Sequence, residues 1–356
     1  MSLSLAYPVT AHLYPTFKCN LNCKHCAYDC KPTSKSMSFD NIKIVVDKLQ
    51  TLKILNININ GGEPLLHPQF DNIVRLINNK NFGWGLFTNG TLITSNKAKI
   101  IAENEPYSIA ISLHGGDEET HNWLTGGGYK QAIEGIKNLR KYYDGEIKIN
   151  SLIHPKRNKE EFLKIINFCE EYDLKLDVYG RFIPMGRAWK NWSMLNKKPN
   201  FDYKDLIPTN LLSSKKRNLR LVIKRILLDI LPNRGHVCDA GSAELYIDPE
   251  GFVYGCFTFM NAGEPRKKGG NILYEDPIKL WKYDPFLNET RNLHPLGCFY
   301  RYQCPFWKDN KCPHCFGISL NLFNSYAYPH PFCFEYIKDN IDPDFSPLGD
   351  GSDNNE

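Results

Sequence analysis

Short apolar runs alternate with segments of helical periodicity between about residues 13 and 180, and this alternation constrains the fold more than any other feature of the chain. After a short first run at 12–17, the runs are brief enough to be buried parallel strands. The intervening segments have the apolar spacing of amphipathic helices. Six such units predict an α/β fold with a parallel sheet, open or curled into a partial (β/α)6 TIM-like barrel. Its functional site should lie at the carboxyl ends of the strands. The later runs are 54–59, 84–88, 108–113, 147–153 and 174–179.

Composition and charge narrow the class of protein. Of the 356 residues, 42% are hydrophobic and 23% are charged, which is typical of a globular chain and excludes wholesale disorder. The net charge of +5 is too small to indicate a nucleic-acid-binding protein, and no apolar run reaches the ~18 residues of a membrane span. The N-terminus lacks the basic head and apolar stretch of a signal peptide. We therefore expect a soluble, cytoplasmic protein with neither nucleic acid nor a membrane as partner.

The twelve cysteines fall mainly into two groups. Because cytosolic thiols stay reduced, clustered cysteines predict metal ligands or catalytic groups before disulfides. The first group has the spacing C-x3-C-x2-C, so its three thiolates can bind one face of a cubane iron–sulfur cluster and leave one iron open. The spacing alone also permits a tetrahedral zinc site completed by His25 or Cys30. The first group is Cys19, Cys23 and Cys26, and the second is Cys238, Cys256, Cys298, Cys304, Cys312, Cys315 and Cys333.

Three further motifs stand at the ends of predicted strands. The second strand is followed by Asn60-Gly61-Gly62-Glu63-Pro64, whose glycines let the backbone approach a ligand closely. This motif lacks the Gly-Lys-Ser/Thr ending of a phosphate loop. The third and fourth strands end in Thr88-Asn89-Gly90-Thr91-Leu92 and Ser112-Leu113-His114-Gly115-Gly116. The sequence therefore predicts a ligand site shared by neighbouring strand ends.

Together the cysteine loop and these strand ends resemble the radical S-adenosylmethionine (SAM) superfamily. The resemblance implies that Cys19, Cys23 and Cys26 hold a [4Fe-4S] cluster whose open iron chelates the amino and carboxylate groups of SAM. Reductive cleavage of SAM would then yield a 5′-deoxyadenosyl radical. It also implies that the glycine-rich turn holds the methionyl amine, and that His114 stands where an aspartate is usual. The SAM contacts expected from the resemblance are Gly61, Gly62, Glu63, Pro64, Thr88, Asn89, Ser112, His114, Asn150 and Arg181.

The cysteines of the last third follow a second pattern. Cys238 and Cys256 flank a predicted β-hairpin that turns at Pro249-Glu250-Gly251. The arrangement resembles the SPASM extension of radical SAM proteins, although the middle spacings are five, seven and two rather than two, five and three. The resemblance implies one or two auxiliary [4Fe-4S] clusters, with Cys238 and Cys256 on the cluster nearer to SAM. Zinc is the alternative. The remaining auxiliary ligands would be Cys298, Cys304, Cys312, Cys315 and Cys333.

These signals divide the chain into four expected parts. A radical SAM partial barrel over 9–186 is followed by a basic bridging segment over 187–236. A small cysteine-rich, SPASM-like auxiliary domain then covers 237–335, and an acidic tail, expected to be disordered, covers 336–356. The bridge carries twelve Lys and Arg against three Asp. It is either a solvated face or a surface that attracts anions, with an amphipathic helix expected over 219–231.

Two cysteines lie outside both groups. Cys169 is on the apolar side of a predicted helix, so we expect it to fill the core. Cys30 follows the cysteine loop closely, and we expect a spare thiol, with a hydrogen-atom donor as the alternative.

The resemblance also indicates a class of substrate. SPASM-bearing enzymes mostly act on peptides or proteins, and the glycine-rich segment 124–129 is similar to that of such maturases. We expect an enzyme that installs a C–C, C–S or related crosslink, or epimerises a residue, in a ribosomally made precursor peptide. The alternatives are an enzyme acting on a small molecule or cofactor precursor, a sulfatase-type protein maturase, and a zinc-stabilised binding protein.

The expected partners follow from this hypothesis. They are the precursor peptide and a reductant such as ferredoxin or flavodoxin. The cysteine motif begins at residue 19, which leaves no room before it for a leader-recognition domain. The leader would therefore dock elsewhere, with the basic bridge as one candidate, or on a separate protein.

Overall fold

The computed structural model describes residues 5–179, 182–197, 240–260, 267–293, 298–308, 312 and 315–346. Its centre is an eight-stranded sheet. The strands are β1 (Thr10–Leu13), β2 (Asn56–Ile59), β3 (Gly83–Thr88), β4 (Ser108–Ser112), β5 (Ile147–Leu152), β6 (Lys175–Tyr179), β7 (Glu244–Ile247) and β8 (Val253–Tyr254). Their order is β6-β5-β4-β3-β2-β1-β7-β8, and only β7 and β8 pair antiparallel among these strands. The predicted α/β class and its six parallel strands are confirmed.

Helices connect the parallel strands and continue into the C-terminal region. Several of those that follow β1 to β6 begin with caps that the sequence supplies: Ser38, Thr94 and Asn158 each accept a backbone N–H of the first turn. The helices of the described residues are α1 (Phe39–Thr51), α2 (Phe70–Asn79), α3 (Ser95–Glu103), α4 (Glu118–Thr125), α5 (Tyr129–Arg140), α6 (Lys159–Glu171), α7 (Gly186–Lys190), α8 (Trp192–Leu195), α9 (Pro277–Tyr283), α10 (Pro285–Arg291), α11 (Pro305–Lys308), α12 (Phe316–Phe323) and α13 (Phe334–Asn340).

The main core lies between the strands and these helices. Ile57, Ile59 and Ile111 are fully buried, as expected of parallel strands covered by helices. Cys169 is also fully buried in this cluster, so its predicted core role is confirmed. Burial of the apolar strand residues fixes the sheet and thereby the position of the loops at its carboxyl edge.

The predicted hairpin forms, but it is not separate from the barrel sheet. β7 pairs parallel with β1, with Leu13 opposite Ile247. Leu245 and Ile247 are buried in the same core as Leu13. The hairpin therefore attaches the cysteine-rich region to the sheet through backbone pairing.

The C-terminal residues correct one prediction. The chain was expected to be disordered from Tyr336, but α13 continues to Asn340, and Phe345 is only 9% exposed. Ile337 and Phe345 pack with Phe323 and Tyr328, so a few apolar side chains anchor a segment that is acidic on average. Residues 347–356 of the expected tail lie outside the described residues.

Some predictions fall on other parts of the chain that the structure does not describe. These are the bridge from residue 198 onward, including the helix expected over 219–231, and two candidate site residues, Arg181 and Cys238. Within the described residues, every helix is too short or too polar to cross a membrane.

Candidate functional site

A cavity of about 220 Å³ lies where the cysteine loop meets the ends of β2, β3 and β4. Cys19, Cys23 and Cys26 all line it, and none of the three forms a disulfide. Six of the ten residues predicted to contact SAM share the cavity with them. They are Gly61, Gly62, Thr88, Asn89, Ser112 and His114. The structure therefore brings the cysteine motif and the strand-end motifs to one place.

The glycines after β2 are required by a close backbone approach. A Cβ on Gly62 would lie 2.3 Å from the carbonyl oxygen of Lys18, and Gly61 has φ +148° with its Cβ position 2.3 Å from the Thr16 oxygen. The Gly62 amide donates to Thr16 at 3.0 Å. Only glycine allows this turn to pack against the segment that leads into the cysteine loop.

Glu63 ties the end of β2 to the end of β3. Its Oε1 accepts from the Thr88 hydroxyl at 2.8 Å and from the Leu65 amide at 3.1 Å, and its Oε2 accepts from the Asn89 amide at 2.8 Å. The side chain is fully buried, and this burial raises the pKa of Glu63 to about 7. Glu63 stands behind the cavity wall and positions Thr88 and Asn89.

Two other candidate contacts are also not on the cavity surface. Pro64 begins the buried 3-10 turn Pro64–Leu66, and Asn150 lies in β5 with its carbonyl oxygen bonded to the Leu113 amide at 3.0 Å. Neither is among the lining residues.

Asn20 contacts the candidate site, although the sequence analysis did not single it out. Its Oδ1 accepts from Asn89 Nδ2 at 2.9 Å, and its own Nδ2 donates to the Thr91 hydroxyl at 2.9 Å. Asn89 Oδ1 in turn accepts from the Thr91 amide. This network joins the cysteine loop to the end of β3. Nothing in the spacing of the motifs shows that Asn20 and Asn89 meet.

His114 is held as a neutral imidazole. Its Nδ1 accepts from the Leu152 amide at 3.2 Å, which places the ring proton on Nε2. Burial, followed by the neighbouring histidines, holds the pKa of His114 well below its usual value. The His114 ring packs edge-on against His25 with centroids 4.6 Å apart. The His114 ring, which lines the cavity, therefore carries an N–H donor, whereas an ionised aspartate would offer only acceptors.

Three histidines surround this position, and the sequence analysis gave none of them this role. His25 comes from the cysteine loop and lines the cavity. His121 Nδ1 accepts the His114 amide at 3.1 Å, and His154 Nε2 lies 2.8 Å from the His114 carbonyl oxygen. They fix the backbone and ring of His114.

The wall facing the hairpin is aromatic. Tyr14 and Tyr28 line the cavity, and their hydroxyl oxygens lie 3.2 Å apart. Tyr28 also contacts the Phe257 carbonyl oxygen at 3.4 Å, beside Cys256. Cys30 is buried in the same cluster, lines the cavity and donates its backbone N–H to Cys26 Sγ at 3.5 Å. These groups form one side of the cavity.

Two auxiliary cysteines meet at one threonine. The Thr258 hydroxyl donates to Cys256 Sγ at 3.3 Å, and Cys315 Sγ lies 3.7 Å from the same hydroxyl oxygen. Thr258 is buried. Elsewhere in this region, Cys298 and Cys304 are buried. Burial, and then the nearby Cys304 thiol, raises the pKa of Cys298. Cys256 thus lies near Cys315, and Cys298 lies near Cys304.

Within the described ranges, no three His, Cys, Asp or Glu side chains are arranged to hold one metal ion. A cubane differs from such a site because each thiolate binds a different iron.

Comparison with known proteins identifies the family. Residues 13–169 match the family model described as "Radical SAM superfamily". Mycofactocin maturase MftC of Mycobacterium tuberculosis (strain CDC 1551 / Oshkosh) is 28% identical over 290 residues, which cover 79% of this chain and 72% of that protein. GTP 3',8-cyclase of Limosilactobacillus fermentum is 29% identical over 184 residues, which cover 50% of this chain and 55% of that enzyme.

A solved structure shares the fold. Streptococcus suis SuiB, in its crystal structure bound to precursor peptide SuiA, matches with a TM-score of 0.67 and 18% identity over 93% of this chain and 76% of that chain. This similarity confirms the partial-barrel fold.

Parallel strands whose ends meet a three-cysteine loop, with a sequence matching the family model, define a radical SAM enzyme. Residues 13–169 form a domain of the radical SAM superfamily, whose enzymes use a [4Fe-4S] cluster and SAM. The zinc-stabilised binding protein considered from the sequence is thereby excluded.

Proposed function

We propose that this radical SAM enzyme modifies a residue of a ribosomally made precursor peptide, by a C–C, C–S or related crosslink or by epimerisation. The observation that carries the proposal is the extent of the match to MftC. It covers 79% of the chain and so extends well beyond the radical SAM domain, whereas the match to the GTP cyclase covers 50%. The fold of SuiB, solved with a precursor peptide, supports the same class of substrate.

Cys19, Cys23 and Cys26 are the proposed ligands of the radical SAM cluster. Their thiols fit this role because they line one cavity, form no disulfide and come from a loop bonded to the strand ends. When bound there, the cluster supplies an open iron for SAM and the electron that cleaves it. The loop keeps three soft ligands on one side of the cavity and leaves the other side for the nucleotide.

The strand ends are the proposed binding site for SAM. Gly61 and Gly62 offer backbone groups, and Ser112 a hydroxyl, on the cavity wall. His114 donates from Nε2. Thr88 and Asn89 are held in place by Glu63, so a rigid set of donors and acceptors orients the nucleotide. Glu63, Pro64 and Asn150 act behind this surface.

The aromatic wall protects the radical chemistry. Tyr14, Phe17, Tyr28 and Tyr246 pack into one buried cluster between the cysteine loop and the hairpin. Excluding water and stray hydrogen donors directs a carbon radical to the substrate. In this proposal Cys30 stays a spare thiol, with hydrogen-atom donation as the alternative.

The second group of cysteines is proposed to bind auxiliary [4Fe-4S] clusters. Because Cys256 and Cys315 share Thr258, we assign both to the cluster near the hairpin, together with Cys238. A hydroxyl that donates to a ligand sulfur stabilises the thiolate. The remaining cysteines would serve a second cluster: Cys298, Cys304, Cys312 and Cys333.

The wider organisation belongs to the same proposal. The barrel over 9–186 and the auxiliary domain over 237–335 would receive the peptide together, and a ferredoxin or flavodoxin would reduce the cluster. The basic bridge over 187–236 would attract an acidic leader, with a separate leader-recognition protein as the other route. A cytoplasmic location would keep the thiols reduced.

Anaerobic turnover tests the proposed substrate class. Reduced protein is incubated with SAM and candidate precursor peptides, and 5′-deoxyadenosine and peptide mass are measured. The proposal expects deoxyadenosine together with a mass change, or with deuterium uptake from D2O in the case of epimerisation. The Cys23→Ala variant, the matched control, should give neither. Modification of a small molecule with every peptide unchanged would contradict the proposal.

A further inference from the structure

Helix α7 is hydrogen-bonded to the cysteine loop. The backbone N–H of Arg187 donates to the Cys26 carbonyl oxygen at 2.9 Å. Asn191, just after the helix, donates its side-chain amide to the Lys24 carbonyl oxygen at 3.2 Å. A segment more than 150 residues away in sequence therefore lies directly against the loop that carries the candidate ligands.

The side chain of Arg187 makes three further bonds to this loop. Nη1 donates to the Cys23 carbonyl oxygen at 3.0 Å, Nη2 to that of Cys30 at 2.7 Å, and Nε to Asp29 Oδ1 at 2.9 Å. The side chain is only 11% exposed. The guanidinium group thus joins the middle of the loop to its end through three separate acceptors.

The approach of α7 to the loop depends on a glycine. Gly186 has φ +54°, and a Cβ there would lie 2.5 Å from the Ala27 carbonyl oxygen and 3.0 Å from the Asp29 nitrogen. Any larger residue would be strained and would push Arg187 away from the loop. The close contact is therefore built into the backbone.

The charge of Arg187 faces the thiols as well as Asp29. Its field acts on Cys19, Cys23, Cys26 and Cys30, in each case favouring the thiolate. Lys190 also pairs with Asp29, at 3.0 Å from Oδ2, but its side chain is 68% exposed and is screened by solvent. Arg187 is thus a buried positive charge beside the candidate ligands.

We propose that Arg187 is a positioning residue for the radical SAM cluster. It clamps the cysteine loop in the ligand-binding conformation, and its buried charge raises the reduction potential of the bound cluster. The inference rests on the proposed ligand role of Cys19, Cys23 and Cys26 and is independent of the substrate. Lysine cannot replace the clamp, since an ammonium group lacks the planar fork that reaches three fixed acceptors, although it keeps the charge.

The clamp is tested on protein without metal. The rate at which a maleimide alkylates Cys23 and Cys26 is measured by peptide mapping in wild type, Arg187→Gln, Arg187→Lys and the control Lys190→Gln. Arg187→Lys keeps the positive charge that favours the thiolates and should react about tenfold faster or more, because the bonds that close the loop are lost. Arg187→Gln should react more slowly than Arg187→Lys, because it also loses that charge. Lys190→Gln should react like wild type. A wild-type rate in Arg187→Lys would overturn the clamp.

The electrostatic role is tested on reconstituted protein by redox titration with EPR detection. The midpoint potential of Arg187→Gln should be more negative than that of wild type. The midpoint potential of Arg187→Lys should stay close to the wild-type value, although its cysteine loop is held less tightly. The difference between the two variants distinguishes an effect of the Arg187 charge on the potential from an effect of the loop conformation. Equal potentials in all three proteins would overturn the electrostatic role. Iron that remains in full in Cys23→Ala would instead contradict the ligand assignment and leave the alkylation result standing.

Discussion

The Thr88 hydroxyl donates a hydrogen bond to Glu63 Oε1 at 2.8 Å, inside the wall of the candidate site. This bond joins the ends of two neighbouring strands through a carboxyl group that is fully buried. The motif after β2 therefore has two separate functions. Its glycines form the cavity surface, while its glutamate orders the surface that β3 contributes.

The protonation of Glu63 predicts a pH dependence of stability. The folded protein holds this proton up to about pH 7, whereas the unfolded chain releases it near the ordinary value of 4.5. Stability from this group is therefore full below about pH 4.5 and is lost as the pH rises to 7, by about 3 kcal/mol for a shift of this size. The carboxyl group faces Thr88, Asn89 and Leu65, with the Cys19 thiol as a titratable neighbour.

The measurement is the urea unfolding free energy of metal-free protein between pH 4.5 and 8. Glu63→Gln should remove this contribution to the slope. It should also lower stability by about 1–3 kcal/mol at pH 5, because an amide NH2 would meet the Asn89 N–H. Glu103→Gln, an exposed control, should keep the wild-type slope. An unchanged slope in Glu63→Gln would contradict the assigned pKa.

The neutral ring of His114 predicts that SAM affinity depends on whether the side chain at position 114 can donate a hydrogen bond. His114→Asn keeps an acceptor for the Leu152 amide and a donor for the cavity, so affinity should change only a few-fold. His114→Asp offers acceptors alone, and we expect binding at least about tenfold weaker. Anaerobic calorimetry of the reconstituted enzyme measures both.

The control for this series is His67→Gln, which changes a buried histidine that contacts Met37 outside the cavity. Its SAM affinity should match wild type. If His114→Asp binds SAM as tightly as wild type, His114 does not act as a donor to the nucleotide.

The Thr258 contact predicts which cysteines share a cluster. Cys256→Ala and Cys315→Ala should each lose about four irons, and combining them should lose no more. Combining Cys256→Ala with Cys298→Ala should lose about eight, since these cysteines are assigned to different clusters. Iron and sulfide analysis after anaerobic reconstitution gives the result.

Cys169→Ala is the matched control, because this cysteine lies in the main core and should leave the iron content unchanged. Loss of about eight irons on combining Cys256→Ala and Cys315→Ala would show that the two cysteines serve different clusters.

The strands were predictable because their signal is local. Buried parallel strands need continuous apolar runs, and Ile109 and Ile111 lie where such a run predicts them. Helix α4 was not predicted, although Asp117 caps it and Gly126 ends it at φ +80°. Its acidic first turn was the signal that could have found it.

The rest of the site depends on contacts between distant residues. The pairing of β7 with β1 leaves no trace in the alternation of either strand, since apolar spacing gives the face of a strand but not its neighbour. The contacts of Asn20 with Asn89 and of Arg187 with Cys23 likewise form only in the folded chain. Motif spacing therefore predicted the candidate ligands but not the groups that hold them.

The most direct test of the account is the EPR spectrum of the reduced radical SAM cluster before and after addition of SAM. Cys256→Ala combined with Cys298→Ala simplifies the spectrum by removing the proposed auxiliary clusters. The account predicts a spectral change on SAM binding and formation of 5′-deoxyadenosine, and loss of both when Cys23→Ala is added. A spectrum that does not change when SAM is added would contradict the account. Deoxyadenosine production that continues in the Cys23→Ala variant would also contradict it.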